Sequence, residues 1–238
     1  MKKVIVVGAT TGIGKQLAII LAENNYKVGI TGRRDQLLLN LQASNPDNFI
    51  VSCFDVSNIE DVPRHLQRLT DELGGLDLLV LSSGTGKNNP ALDTDIEQQT
   101  NAVNVAGFTA VANWSFNYFQ QQGYGHFACI TSVAAIRGSR FAPAYNASKA
   151  YQVNYLEGLR QKATKLKMPI YITDIRPGFV GTAMAQAENM FWVAPVEKAA
   201  EQIFKAIKNK RDVVYITKRW RIIAFILRLL PGFWYKRM

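Results

Sequence analysis

Tyr145-Asn146-Ala147-Ser148-Lys149 sets a phenol and an ammonium four positions apart, on one face of any helix that carries them. A phenol, with a reference pKa of about 10, is a poor base near neutrality, and a neighbouring ammonium favours its ionised form. Such a pair can exchange a proton with a carbinol or carbonyl oxygen. Ser132 precedes the phenol by thirteen residues and closes an expected strand, Phe127–Ser132. Its hydroxyl can hold the same oxygen at the carboxyl edge of a sheet, where open α/β sheets bind ligands. The set suits hydride exchange with a nicotinamide. Acyl transfer is disfavoured, because neither His65 nor His126 stands near Ser132 in a motif; both histidines read as surface residues.

A second constellation lies at the start of the chain. Gly8-Ala9-Thr10-Thr11-Gly12-Ile13-Gly14 joins an apolar run, Lys3–Val7, to a helical pattern from Ile13 to Ala22. Glycines let the backbone turn sharply and approach a ligand, and the helix N-terminus offers free N–H groups to an anion. The spacing G-x-x-x-G-x-G is neither a P-loop nor the commoner G-x-G-x-x-G. After the second apolar run comes Thr31-Gly32-Arg33-Arg34, with no carboxylate before Asp35. A guanidinium pairs with a 2′-phosphate where an acid would repel it, so NADP(H) is expected, with Arg33 the first contact and Arg34 the second. The same arginines disfavour S-adenosylmethionine, which a glycine loop alone could serve.

The elements that must position these groups alternate regularly. Strands are expected at Lys3–Val7, Lys27–Thr31, Phe49–Phe54, Leu76–Ser82, Phe127–Ser132, Ile170–Ile175 and Asp212–Ile216. Helices fall between them, including one long helix around Thr94–Gln121, another across Ala144–Lys165, and one over Val196–Lys208 with Pro195 at its first position. Strand after helix, with no linker or repeat, predicts a single-domain, Rossmann-like, doubly wound parallel sheet covered on both faces.

Composition narrows the function classes. The chain has 238 residues, 48% hydrophobic, and a formal net charge of +10. Residues 205–238 hold ten Lys/Arg against Asp212 alone, so the body is nearly neutral and no nucleic-acid footprint is expected on it. The two cysteines, Cys53 and Cys129, form no metal-type cluster and read as reduced core thiols. With no secretory pattern at Met1–Val7, a cytoplasmic setting is expected.

These motifs, in this order, resemble the short-chain dehydrogenase/reductase family over roughly residues 1–210. The agreeing features are Gly8–Gly14, Asp55-Val56, Asn104 in Asn104-Val105-Ala106-Gly107, Ser132, Tyr145-x-x-x-Lys149 and Pro177-Gly178. The resemblance implies that Tyr145 is the general acid/base, Ser132 orients the substrate oxygen, and Lys149 tunes Tyr145 and binds the nicotinamide ribose. It implies that Asn104 holds a relay water, and that Asp55 and Val56 meet the adenine. Ser83 and Gly84 then belong to the cofactor site, and Pro177, Gly178, Val180 and Thr182 line its nicotinamide end. A homodimer or homotetramer is implied as well. Two departures stand out. Val7 replaces the family's usual threonine, and Leu81-Ser82-Ser83-Gly84 replaces its Asn-Asn-Ala-Gly. Losing both polar partners together can be nearly neutral, so Val7 and Leu81 are expected to pack together.

On the substrate side, Met184–Trp192 should cover the site, and Ser139, Arg140 and Phe141 should border it. Methionines and aromatics there suit a hydrophobic small molecule; equally, Met190, Phe191 and Trp192 can serve only to pack this segment, or the next helix, onto the body. Residues 1–215 read as the dinucleotide-binding and catalytic domain and 216–238 as a basic amphipathic tail. In that tail Ile222, Ile223, Ile226, Leu227, Leu229 and Leu230 form an apolar arc, interrupted by Arg228 and Pro231 well short of the ~20 residues that span a bilayer. Tryptophan and tyrosine among Lys/Arg fit an anionic membrane surface contacted through residues 217–238, on its inner face. The competing use is a subunit interface. The competing function is a non-catalytic NADP(H)-binding scaffold or redox sensor at a membrane, against which the intact Ser132, Tyr145 and Lys149 argue.

Overall fold

The computed structural model describes residues 1–182 and 191–237. In β1 (Lys2–Val7), Val4 and Val6 enter one hydrophobic cluster while Ile5 and Val7 enter another on the opposite face. A strand covered on both sides needs an unbroken apolar run, which is what the sequence supplies. The chain winds outward through α1 (Gly12–Glu23), β2 (Tyr26–Gly32), α2 (Asp35–Ser44) and β3 (Phe49–Cys53). It then crosses back by α3 (Val62–Leu73) to β4 (Leu78–Leu81), which pairs with the other side of β1. From there α4 (Thr94–Asn101), α5 (Phe108–Gln122), β5 (Gly125–Ile130), α6 (Pro143–Leu166), β6 (Ile170–Pro177), α7 (Val196–Lys208) and β7 (Val213–Ile216) extend the sheet the other way.

The result is a seven-stranded sheet in the order β3-β2-β1-β4-β5-β6-β7, with every pairing parallel. Helices α1, α2 and α7 cover the face that carries Val4 and Val6, and α3, α5 and α6 cover the other. The direction of winding reverses between β1 and β4, opening a crevice beyond their carboxyl ends. Val7 and Leu81, register partners across those two strands, are both buried in one cluster, as the double departure from the family pattern requires.

Five expectations need correction. The long helix expected over Thr94–Gln121 is interrupted by a π-helical turn, Ala102–Gly107, because Asn104 bonds across to the backbone of Thr85. Strand β5 stops at Ile130, and Ser132 instead caps a short 3₁₀ turn, Val133–Ile136. His126 is not a surface residue. It lies buried on central strand β5, its Nε2 2.8 Å from Thr173 Oγ1, and burial pushes its pKa down to about 4. His65 is half-buried, stacked on Phe54. Of the two cysteines only Cys129 is in the core, where burial pushes its thiol up to about 12; Cys53, ending the edge strand, is exposed. Pro195, finally, is the N-cap of α7 rather than its first helical residue.

Two further helices, α8 (Trp220–Leu229) and α9 (Gly232–Tyr235), follow β7. Among the described residues no helix is long and apolar enough to cross a membrane.

Candidate active site

The cofactor half of the crevice is made mostly of backbone. Gly8 (φ +93°) and Gly12 (φ +59°) occupy left-handed conformations, and a Cβ on Gly8 would lie 2.5 Å from Ser83 N. Gly14 stands so close beneath the loop that a Cβ there would lie 2.1 Å from Gly8 O. Ile13 packs against the core and holds the turn down. Thr11, the N-cap of α1, makes no side-chain cap and the first turn carries no acid, so the helix amides face the crevice without an internal anion. A pyrophosphate fits that donor set and that glycine-lined cradle.

At the far end of the loop the two arginines divide their work. Arg34 donates to Thr10 Oγ1 and, at 2.9 Å, to Thr11 Oγ1, bracing the glycine loop from the end of β2. Arg33 stays largely exposed, 3.6 Å from Asp55 Oδ2. Burial acts to raise the Asp55 carboxyl, but hydrogen bonds from Ser57 and the charge of Arg33 outweigh it and hold the group below the usual carboxylate range. Val56 is buried, and its carbonyl oxygen would meet a Cβ on Gly107 at 2.6 Å, so the π-turn lies directly against the segment after β3.

The reactive half is a side-chain network. Asn104, wholly buried, accepts from Thr85 N at 2.9 Å and donates to Thr85 O at 2.7 Å and to Ser148 Oγ at 3.0 Å. Ser148 in turn donates to Tyr145 O at 2.8 Å. Lys149, 4% exposed, donates to Ile130 O at 3.2 Å and to Gln152 Oε1 at 3.0 Å, and Gln152 donates to Asn104 O at 2.9 Å. The ammonium therefore leads from the end of β5 to the π-turn, with its Nζ 5.8 Å from the centre of the half-buried Tyr145 ring. The loop after β4 presses onto this network. A Cβ on Gly84 would lie 3.4 Å from Asn104 Oδ1 and 3.5 Å from Lys149 Nζ, and one on Gly86 would lie 2.5 Å from the Tyr145 ring.

Ser132 reaches the same edge from the 3₁₀ turn. Its Oγ accepts from Ala134 N at 3.1 Å, which leaves its own proton free to be donated. Asn146 ties that turn to α6 by donating to Ala134 O at 3.0 Å and Arg137 O at 2.8 Å. The network thus gathers Asn104, Tyr145 and Lys149 at the Gly84–Gly86 backbone, with the turn that carries Ser132 tied to α6 by Asn146, while Arg33 and Arg34 stand at the end of β2 and Asp55 just after β3.

Pro177 ends β6 and Gly178 follows it, while Val180 is buried in a bridge to Ala194. Thr182 returns over the glycine loop, where a Cβ on Gly12 would lie 3.2 Å from its methyl. Of the expected cover, Phe191 and Trp192 are described, but Met184, Met190 and the residues between lie outside the described residues. Phe191 and Trp192 join Phe179 around Trp220, which presses so closely on Gly178 that a Cβ there would lie 2.0 Å from the indole.

Sequence reasoning missed Ser148, Gln152, Gly86 and Trp220. The first two had a signal, since they lie one position before and three after Lys149 on the same helix. Gly86 and Trp220 had none, because their partners are distant in the chain.

Fold and site together define a dinucleotide-binding oxidoreductase scaffold. The short chain dehydrogenase family model matches residues 2–191, and the chain belongs to that family. An uncharacterized oxidoreductase of Staphylococcus aureus (strain USA300) is 29% identical over 191 residues, covering 79% of this chain and 82% of that protein. One from Mycobacterium tuberculosis (strain H37Rv) is 29% identical over 191 residues, covering 77% of this chain and 75% of its own. Among solved structures, ElxO with NADP bound superposes with a TM-score of 0.80 at 21% identity, over 90% of this chain and 96% of that one. A 3-ketoacyl-(acyl-carrier-protein) reductase from Brucella melitensis complexed with NADH gives a TM-score of 0.81 at 19% identity, with the same coverage. At these identities the structural likeness speaks for the fold.

Proposed function

We propose that this oxidoreductase uses NADP(H) to interconvert an alcohol and a ketone or aldehyde on an apolar small molecule. The observation that carries the reading is the convergence of Tyr145, Lys149 and Asn104 on the Gly84–Gly86 backbone, beside the glycine cradle at the switch between β1 and β4. The cofactor, when bound, supplies or accepts the hydride. In the reducing direction Ser132 donates a hydrogen bond to the substrate carbonyl, and Tyr145 gives its phenolic proton to the oxygen as the carbon becomes a carbinol. Lys149 stabilises the negative charge left on the phenol oxygen. Asn104, its side chain fixed by Thr85 and Ser148, is assigned the relay water that returns the proton. Arg33 supplies the cation for a 2′-phosphate, and Arg34 keeps the glycine loop in shape.

The same reading sets the enzyme on the inner face of an anionic membrane, as a homodimer or homotetramer, with residues 217–238 as its contact. A non-catalytic NADP(H)-binding scaffold would not need Ser132, Tyr145 and Lys149 together, and the intact set supports the enzyme reading.

Tyr145→Phe tests the reaction. Turnover of hydrophobic ketones, followed by nicotinamide absorbance, should fall by at least about a hundredfold, with NADPH affinity by fluorescence within twofold of the parent. Unchanged turnover would refute the chemistry.

A further inference from the structure

The C-terminal segment is fastened to the loop between Ser132 and Tyr145. Arg137 donates from Nε to Leu227 O at 2.9 Å and from Nη2 to Leu230 O, its guanidinium lies 5.2 Å over the Tyr235 ring, and the Tyr235 hydroxyl donates to Gly138 O. On the inner side of α8, Trp220 and Ala224 are buried, Trp220 against Gly178. Its outer side is the reverse of a protein surface. Ile222, Phe225, Ile226, Leu229, Phe233 and Trp234 are each more than half exposed. Arg221, Arg228, Lys236 and Arg237 surround them, all exposed, and no acid occurs after Asp212.

An apolar patch of this kind needs a cover. A second copy meeting it across a two-fold axis would bring the same uncompensated cations face to face. An anionic bilayer neutralises them and takes up the aromatic and aliphatic side chains at its interface. At ten residues α8 is about 15 Å long and ends before Pro231, which suits lying along the interface.

We propose that this face docks on an anionic bilayer and thereby holds the mouth of the active site, the loop running from Val133 to Ala142, at the lipid surface. The substrate is then a membrane-resident carbonyl or alcohol that enters from the bilayer. The substrate clause rests on the oxidoreductase reading; the docking geometry does not.

The test uses the full chain with NADPH bound and vesicles of phosphatidylcholine with or without one quarter phosphatidylglycerol. In a Cys53→Ser background, an environment-sensitive fluorophore is attached at Gly138→Cys, where a Cβ meets nothing within 4 Å, or at Gln67→Cys on α3. The protein should sediment with the anionic vesicles, with at least tenfold less bound to neutral ones. The probe at 138 should shift to shorter wavelength and the probe at 67 should not. Phe225→Glu with Ile226→Glu should abolish binding and shift, with an unchanged melting temperature and unchanged mass by light scattering. Failure to bind anionic vesicles, binding with a silent probe at 138, or a fall in oligomeric mass in the double variant each overturns the proposal, the last assigning the face to a second copy. None of these readouts needs turnover. Vesicle docking with a fully active Tyr145→Phe would therefore sink the chemistry and spare the docking.

Discussion

The two halves of the crevice are built from different materials. The cofactor half is built around a local loop: Gly8, Gly12 and Gly14 lie within seven residues, Thr10, Thr11 and Arg34 brace them within one strand-helix-strand unit, and Ser83 and Thr182 close on the loop from elsewhere. The substrate half is assembled from segments far apart, with Arg137 bonded to Leu227 ninety residues on, and Trp220 packed against Gly178. The first has little spare volume because backbone meets backbone. The second is held by side chains, which can be exchanged to admit another substrate while the sheet edge stays in place.

If that contrast is right, the largest effect comes from adding one methyl group to the cofactor half. Gly14→Ala should lower stability by more than about 3 kcal/mol, since a Cβ there meets the backbone at Gly8 O, and should weaken binding of NADPH and NADH alike by more than about a hundredfold in fluorescence titrations. Trp220→Ala is the counterpart. It should cost stability of about 3 kcal/mol in urea titration as a buried aromatic lost, and raise KM for hydrophobic ketones by a larger factor than it weakens NADPH, since Trp220 also backs Gly178. Equal losses of substrate and cofactor binding in that variant would erase the distinction between the halves.

A smaller change separates two neighbours within the cofactor half. Arg33→Ala should weaken NADPH by about ten- to a hundredfold, the range of a charge-assisted contact of ~1.5–3 kcal/mol, and leave NADH unchanged. Arg34→Ala should weaken both dinucleotides, since its partners are the loop threonines. Identical discrimination in the two variants would show that the arginines are not divided as described.

The smallest effect lies outside both halves. The unfolded chain protonates His126 near its ordinary 6.5, while burial holds the folded value at about 4. The unfolded state therefore binds more protons in that window, and stability, complete above pH 6.5, declines as pH falls towards 4. Urea titrations at pH 7 and pH 5 should differ by about 2 kcal/mol from this residue, and His126→Gln should remove that difference while leaving both halves of the crevice intact.

Much of the proposed catalytic set was legible because its geometry is local. Tyr145 and Lys149 share a helix face by spacing alone, and the glycine loop sits between a strand and a helix that periodicity identifies. Ser132 was expected to close a strand and instead caps a 3₁₀ turn: Thr131 still donates its backbone N–H to Ile175 O, but the chain then turns away from β6 into Val133–Ile136. Asn104 was legible as a residue but not as a π-turn, since only the approach of Thr85 pulls the helix open. The histidines misled for a similar reason. Nothing beside His126 in the chain announces Thr173, its partner on the next strand.

By itself the sequence determined the alternation of strand and helix, the cradle for a phosphate, the phenol-ammonium pair and the basic character of the last residues. Each depends on interactions a few residues long: backbone freedom, helical spacing, or the density of charge. The tertiary structure alone decided that Arg34 braces the loop while Arg33 pairs with Asp55 at the surface, that Gln152 steadies the buried ammonium, and that α8 lies against the turn after Ser132. Those facts arise where chain segments pack at van der Waals distance, and packing depends on which surfaces the whole fold brings together.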